Sequence, residues 1–169
     1  DLNVPIKNNK IDDHTRILAV EPLIKTLVQL KAKIIIISHL GRPKGKKNKS
    51  LSLKIVYDYL KKKIDTKISF YEKTLDKTAI IASKNIKQGD ILFFENIRFF
   101  REEETDDENF SKKLALLGDI FINEAFSCSH RKQASIHKIT KFINSYGGPL
   151  LKKEYDAIDQ ITKKGKKPI

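Results

Sequence analysis

The sequence predicts an α/β domain in which a parallel sheet is covered by helices on both faces. Three observations predict it. Runs of β-branched and aromatic residues recur without polar alternation, as in strands buried on both sides: Ile34-Ile35-Ile36-Ile37, Ile68-Ser69-Phe70-Tyr71 and Ile91-Leu92-Phe93-Phe94. Segments with apolar residues at near-helical spacing separate these runs. The connections are short, which favours neighbouring strands joined by crossover helices.

Asp1–Val4 reads as the end of a first strand, followed by a turn through Lys7-Asn8-Asn9-Lys10. Asp13 and Thr15 are candidate caps for a helix carrying Ile17, Leu18, Leu23, Ile24, Leu27 and Leu30. Pro22 suits an early helical position, which leaves that helix's start open. The four isoleucines after Lys33 form the next strand and run into Ser38-His39-Leu40-Gly41-Arg42-Pro43-Lys44-Gly45. A helix begins near Ser52 with Ile55, Val56, Tyr59 and Leu60, and Ile68–Tyr71 is a short strand. A short helix spans Thr78–Ile86, Gly89-Asp90 turns, and Ile91–Phe94 is a further strand. Beyond Glu95–Phe100 lies an acidic run, Arg101–Glu108, which reads as a solvated loop and helix N-terminus, with Arg101 paired locally. The helix through Phe110, Leu114 and Leu117 closes with Gly118 at a left-handed C-terminal position. Asp119–Asn123 is another strand. After Gly147-Gly148-Pro149 a last helix runs from about Leu150 to Thr162, and Lys163–Ile169 reads as a linker.

Composition bounds the function. With 169 residues, of which 40% are hydrophobic, one domain with a substantial core is expected. No stretch approaches the ~20 apolar residues of a membrane span, and no signal-like leader opens the chain. Cys128 is the single cysteine, which excludes an internal disulfide and suits a reducing cytoplasm. The chain lacks Met and opens inside a predicted strand, so leading residues are expected before Asp1. The net charge of +13 suggests a nucleic-acid or membrane-surface partner. The cations are overwhelmingly lysines, however, placed on helix faces and not interleaved with aromatics, and they read as a solvated surface. The arginines are few: Arg16, Arg42, Arg98, Arg101 and Arg131. Where Lys is the default cation, an Arg marks a place that needs a planar fork for phosphate or carboxylate.

In parallel α/β sheets, ligands bind beyond the carboxyl ends of the strands. Those ends carry Asp1 and Asn3, then His39 and Arg42, then Arg98, then Arg131, with Arg16 in the loop after the first strand. The set suits a small, multiply negative ligand. Taken singly the signals are weaker. A Gly-Arg-Pro-Lys-Gly segment is ordinarily a turn, His39 and His130 read equally as structural, and His14 and His137 as surface. Cys128 beside His130 and Arg131 lacks a third group to orient a nucleophile. No P-loop, Gly-x-Gly-x-x-Gly, zinc spacing or Gly-x-Ser-x-Gly occurs, and no metal site is expected.

At these same segments the chain resembles the phosphoglycerate kinases. The resemblance is carried by Asp1-Leu2-Asn3-Val4-Pro5, Asp13-His14-Thr15-Arg16-Ile17, Ser38–Gly45, Glu95-Asn96-Ile97-Arg98-Phe99 and Asn123–Arg131, in order and suitably spaced. It extends across essentially the whole chain. It implies a Rossmann-like domain, one of two in a kinase. Residues 1–149 would form the phosphoglycerate-binding N-terminal domain, and residues 150–169 the interdomain helix and start of a linker. Asp1, Asn3, Arg16, His39, Arg42, Arg98 and Arg131 would bind 3-phosphoglycerate or 1,3-bisphosphoglycerate. Arg42, Arg98, Arg131 and His39 would hold the stable phosphate, Asp1 and Asn3 the hydroxyl region, and Arg16 the phosphoryl group in flight, as the catalytic residue. Mg-ATP or Mg-ADP would be a co-substrate held by a C-terminal domain outside this chain, so the chain alone would be inactive. The resemblance further implies a cytoplasmic glycolytic enzyme, monomeric at full length, with neither nucleic-acid nor membrane partner. Glu124, Gln133 and Ser127-Cys128-Ser129 depart from the family's usual residues without removing any named ligand contact. Two rival readings are a basic nucleic-acid-binding module and a non-catalytic sugar-phosphate-binding domain.

Overall fold

A computed structural model of the chain describes residues 1–73 and 75–164. After an extended stretch through Pro5, a hairpin is formed by β1 (Ile6–Lys7) and β2 (Lys10–Ile11). Asn8 and Asn9 take φ of 51° and 56° between them, the left-handed pair that a two-residue hairpin needs. The expected turn is there, flanked by strands too short to read from sequence. The predicted strand at Asp1–Val4 is not: this segment has no sheet partner. It keeps a strand's alternation, Leu2 and Val4 being buried at 3% and 4% exposure, and the Leu2 N–H donates to Ser38 Oγ at 2.9 Å.

Helix α1 (Thr15–Gln29) follows, with Asp13 Oδ1 accepting from the Thr15 N–H at 2.8 Å. Pro22 lies in the interior of α1 rather than near its start. Its ring falls on the exposed side, where water can serve the carbonyl it leaves unbonded. Only Ile17, Val20 and Ile24 of α1 are buried, and Leu18 and Leu30 face solvent.

The parallel core comprises β3 (Ile34–Ile36), β4 (Ile68–Tyr71) and β5 (Ile91–Phe94), in the order β3-β5-β4. Helix α2 (Lys54–Lys63) joins β3 to β4, and α3 (Lys77–Asn85) joins β4 to β5. The central strand shows why both faces need cover. Ile91 and Phe93 point into one hydrophobic core with Ile17, Val56 and Leu60. Leu92 and Phe94 point into a second with Ala79, Phe110 and Leu114. Two cores divided by one strand's alternation give the predicted three layers.

After β5 come a 3-10 turn at Ile97–Phe99, α4 (Arg101–Glu104) and α5 (Glu108–Ala115). Helix α5 ends at Ala115, with Leu116 still near helical dihedrals. Gly118 is not left-handed, unlike Gly41, Gly45 and Gly89, so it does not act as the expected cap. β6 (Ile120–Asn123) pairs in parallel with β7 (Asn144–Gly147), a strand absent from the sequence reading. These two form a separate parallel pair, with Phe121 packed against the second core. Helix α6 (Pro149–Lys164) closes the described chain. Lys163 and Lys164 therefore belong to a helix and not to a linker, while residues 165–169 of that expected linker lie outside the described residues. No described helix is long and apolar enough to cross a membrane.

Candidate functional site

The crevice is assembled from chain segments that leave the carboxyl ends of β3, β5 and β6, closed by the extended residues 1–4. Asp1 lies at its middle. Its carboxylate pairs with Arg16, accepts from Ser127 Oγ at 2.8 Å and from the Asn3 N–H at 3.0 Å, and lies 3.7 Å from His39 Nδ1. Arg16 lies in the first turn of α1, not in a loop, and its side chain is 44% exposed.

The β3 loop holds its shape through glycine. Gly41 has φ +62°, and a Cβ there would come within 2.8 Å of Leu51 Cδ2. Its N–H donates to Asn3 Oδ1 at 2.9 Å, and its carbonyl accepts from Arg98 Nη1 at 3.1 Å. Gly41 thus ties the first segment to the β5 loop. Asn96, fully buried, donates to the carbonyls of Leu40 at 2.7 Å and Leu51 at 2.8 Å, and its Oδ1 accepts from the Arg98 N–H at 3.1 Å. Glu95 secures the start of α2 through Ser52 Oγ at 2.6 Å and the Leu53 N–H at 2.8 Å.

Electrostatics follow from this packing. His39 is 8% exposed. Burial, then Arg98, Arg16 and Arg131 lower its pKa to about 3. The imidazole is neutral at ordinary pH, so its contact with Asp1 is not an ion pair. Arg98 is 4% exposed, with Nη2 donating to Gln133 Oε1 at 3.1 Å and Nε without a partner among the described residues. Burial, joined by Arg131, lowers its pKa from the usual guanidinium value. Arg131 is exposed on the turn after Cys128 and acts on both His39 and Arg98. Arg42 is exposed beside Gly41, without a hydrogen bond or ion pair among the described residues. A cavity of about 440 Å³ adjoins the crevice, sharing Asn3 and Gly41 but lined by no arginine.

Asp1, Arg16, His39, Arg98 and Arg131 are thus brought together, with Asn3 joined to them through Gly41 and Arg42 at the exposed rim. Asp1, His39 and Cys128 also bring one ligand-type atom each within 4.8 Å of one another. The Asp1 oxygens are already taken, Oδ2 by Arg16 and Ser127 and Oδ1 by the Asn3 N–H, and the surrounding guanidiniums oppose a cation. The arrangement is built for negative charge.

Several contributors were not foreseen. Gln133 meets Arg98 directly, so this departure from the family's residues falls inside the site. Glu124 reaches past Gly148 to accept from the N–H groups of Leu150 at 3.1 Å and Leu151 at 3.3 Å, capping α6. The acidic run is not wholly solvated: Glu103 is 1% exposed, and burial raises its pKa to about 7 against the pull of Ser135 and Arg98. Arg101 makes no ion pair among the described residues; its backbone packs on Gly45 instead. His14 is half-buried with its ring 4.6 Å from that of Tyr59, while His137 is exposed and bonded to Asp106. On the lysine-rich surface, Lys25, Lys54, Lys112, Lys152 and Lys163 each pair with an acid one helical turn away. Lys54 and Lys61 also approach the ring of Tyr57.

Fold and crevice together define an α/β domain with cationic side chains gathered at its strand ends, where parallel sheets of this class carry their sites. The profile of the phosphoglycerate kinase family matches residues 1–169. The phosphoglycerate kinase of Wolbachia pipientis wMel is 47% identical over 169 residues, spanning all of this chain and 42% of that protein. The phosphoglycerate kinase structure from Coxiella burnetii superposes with a TM-score of 0.86 at 35% identity, covering 99% of this chain and 42% of the other. That from Pyrococcus horikoshii gives 0.87 at 28% identity, covering 99% and 43%. The chain belongs to the phosphoglycerate kinase family, and spans less than half the length of these relatives.

Proposed function

We propose that this chain supplies the phosphoglycerate half-site of a phosphoglycerate kinase, which moves a phosphoryl group between 1,3-bisphosphoglycerate with Mg-ADP and 3-phosphoglycerate with Mg-ATP. The observation that carries the reading is the gathering of Arg16, Arg98 and Arg131 around Asp1 and a neutral His39. In this reading Arg42, Arg98, Arg131 and His39 hold the stable phosphate. Asp1 and Asn3 take the hydroxyl and nearby oxygens, and Arg16 meets the transferring group. The buried Nε of Arg98 has no acceptor among the described residues.

The chemistry needs little beyond placement. In the direction that makes the acyl phosphate, the nucleophile is a carboxylate, ionised near neutral pH because its reference pKa is about 4. No general base is required, and His39, with its pKa lowered to about 3, is too weak a base to serve as one. Catalysis then rests on in-line positioning and on guanidinium stabilisation of the phosphoryl group. Mg²⁺ enters with the nucleotide, as part of that substrate. Residues 1–149 form the phosphoglycerate domain, and the segment from residue 150 leads to a second domain that holds the nucleotide. Closure of the two excludes water. The whole enzyme is a cytoplasmic, glycolytic monomer.

Calorimetric titration of the chain with 3-phosphoglycerate tests the reading, beside a coupled ATP assay. Weak saturable binding without turnover is expected. Arg42→Lys and Arg131→Lys should each weaken binding roughly tenfold, since Lys keeps the charge but loses the fork. Unchanged affinity in both variants would refute the assignment.

A further inference from the structure

Glu103 has no part in the chemistry above, yet its carboxylate is among the most deeply buried polar groups of the chain. Burying a carboxyl group is costly unless its oxygens are well partnered. Those of Glu103 accept from the Ser135 N–H at 2.9 Å and from Ser135 Oγ at 2.6 Å. Its backbone carbonyl accepts from the Ala134 N–H at 3.0 Å. From α5, Ser111 Oγ, fully buried, reaches the Ala134 carbonyl at 3.2 Å. Residues 134 and 135 are therefore pinned to α4 and α5.

Immediately upstream stands Gln133, whose side chain accepts from Arg98, and two residues before it stands Arg131. The other end of this loop is fixed by the turn at Phe126–Cys128, where the Arg131 N–H donates to the Cys128 carbonyl at 2.9 Å. Between these anchors Arg131 is exposed, with no hydrogen bond from its side chain among the described residues. Its position depends on the loop's two ends.

We propose that Glu103 is a positioning residue for the anion site: by clamping Ala134 and Ser135 it holds the Arg131–Gln133 loop against Arg98 without touching the ligand. The proposal rests on the crevice being the 3-phosphoglycerate site. It assigns Glu103 an effect that passes through Arg131, which a generally stabilising side chain would not have.

The test combines amide hydrogen exchange, which needs no ligand, with a double-mutant cycle. At pH 8, where Glu103 is ionised, Glu103→Gln deprives one of Ser135's two donors of its acceptor. Exchange in residues 129–137 should accelerate about tenfold or more while β3, β4 and β5 stay protected. Affinity for 3-phosphoglycerate should fall about tenfold, yet change less than about twofold when Glu103→Gln is made in an Arg131→Ala background. Ser135→Ala, a milder change, should give the same pattern at smaller amplitude and serves if Glu103→Gln fails to fold. Uniform acceleration across the chain would overturn the proposal. So would an affinity loss that persists in the Arg131→Ala background, or a Ser135→Ala protein with unaltered loop exchange. Should the wild-type chain bind no 3-phosphoglycerate, the proposed function fails. The clamp is then decided by exchange alone: local acceleration upholds it and uniform acceleration overturns it.

Discussion

His39 and Glu103 should pull stability in opposite directions between pH 7 and pH 5. Burial, reinforced by Arg98 and the other nearby cations, lowers His39 from 6.5 to about 3. Its contribution is present above pH 6.5 and lost as pH falls towards 3, because the unfolded chain takes up the proton first. Burial raises Glu103 from 4.5 to about 7. That contribution is present below pH 4.5 and lost as pH rises through 7, because the native carboxyl holds its proton longer. Integrated from pH 7 down to pH 5, each amounts to about 2 kcal/mol, a loss for His39 and a gain for Glu103. In the wild type the two nearly cancel. Relative to wild type, His39→Gln should therefore gain about 2 kcal/mol over this interval, and Glu103→Gln should lose about as much. Urea unfolding at pH 7, 6 and 5 checks this, since subtracting the wild type removes the other titrating groups. Three parallel stability profiles would refute the reasoning.

Other consequences follow from single contacts. A Cβ on Gly148 would stand 1.7 Å from Glu124 Oε1, so Gly148→Ala should displace the α6 cap and cost about 1 kcal/mol. Adding Glu124→Gln to it should cost little more, as urea midpoints of the single and double variants would show. Asn96→Ala should destabilise by about 3 kcal/mol, because it strips buried carbonyls at Leu40 and Leu51 of their donor; a shift of the urea midpoint checks this. In the intact kinase, Arg16→Ala should lower kcat by about 10³-fold and alter KM far less, by analogy with arginine fingers. Steady-state kinetics in both directions would make the comparison, and a rise in KM alone would reverse the role given to Arg16.

What the sequence discloses depends on whether a residue's surroundings are local. β4 and β5 were legible because apolar runs bounded by turn residues have few alternatives. β7 was not, since Asn144-Ser145-Tyr146-Gly147 is exposed throughout and carries no pattern. Its strand character comes only from pairing with β6. The gathering of strand-end arginines was legible, because position after a parallel strand is a topological fact that sequence order preserves. The buried acid behind them was not. Glu103 sits among Glu102, Glu104, Asp106 and Asp107, and nothing in that run marks which acid turns inward. The choice is made by Ser135, 32 residues away. The placement of Pro22 was misjudged for a similar reason. A proline's cost depends on which side of the helix faces water, and that is a property of packing.

The central claim is that the strand-end crevice, and not the lysine-rich surface, receives 3-phosphoglycerate. Titration of the isotopically labelled chain with 3-phosphoglycerate, followed by amide and guanidinium NMR shifts, tests it most directly. The account predicts saturable shifts at Asn3, His39, Gly41, Arg98 and Arg131, with the Arg98 Nε–H signal moving with them and the α2 and α6 lysine faces silent. Shifts confined to those lysine faces, or none at all in a folded chain at millimolar ligand, would contradict it.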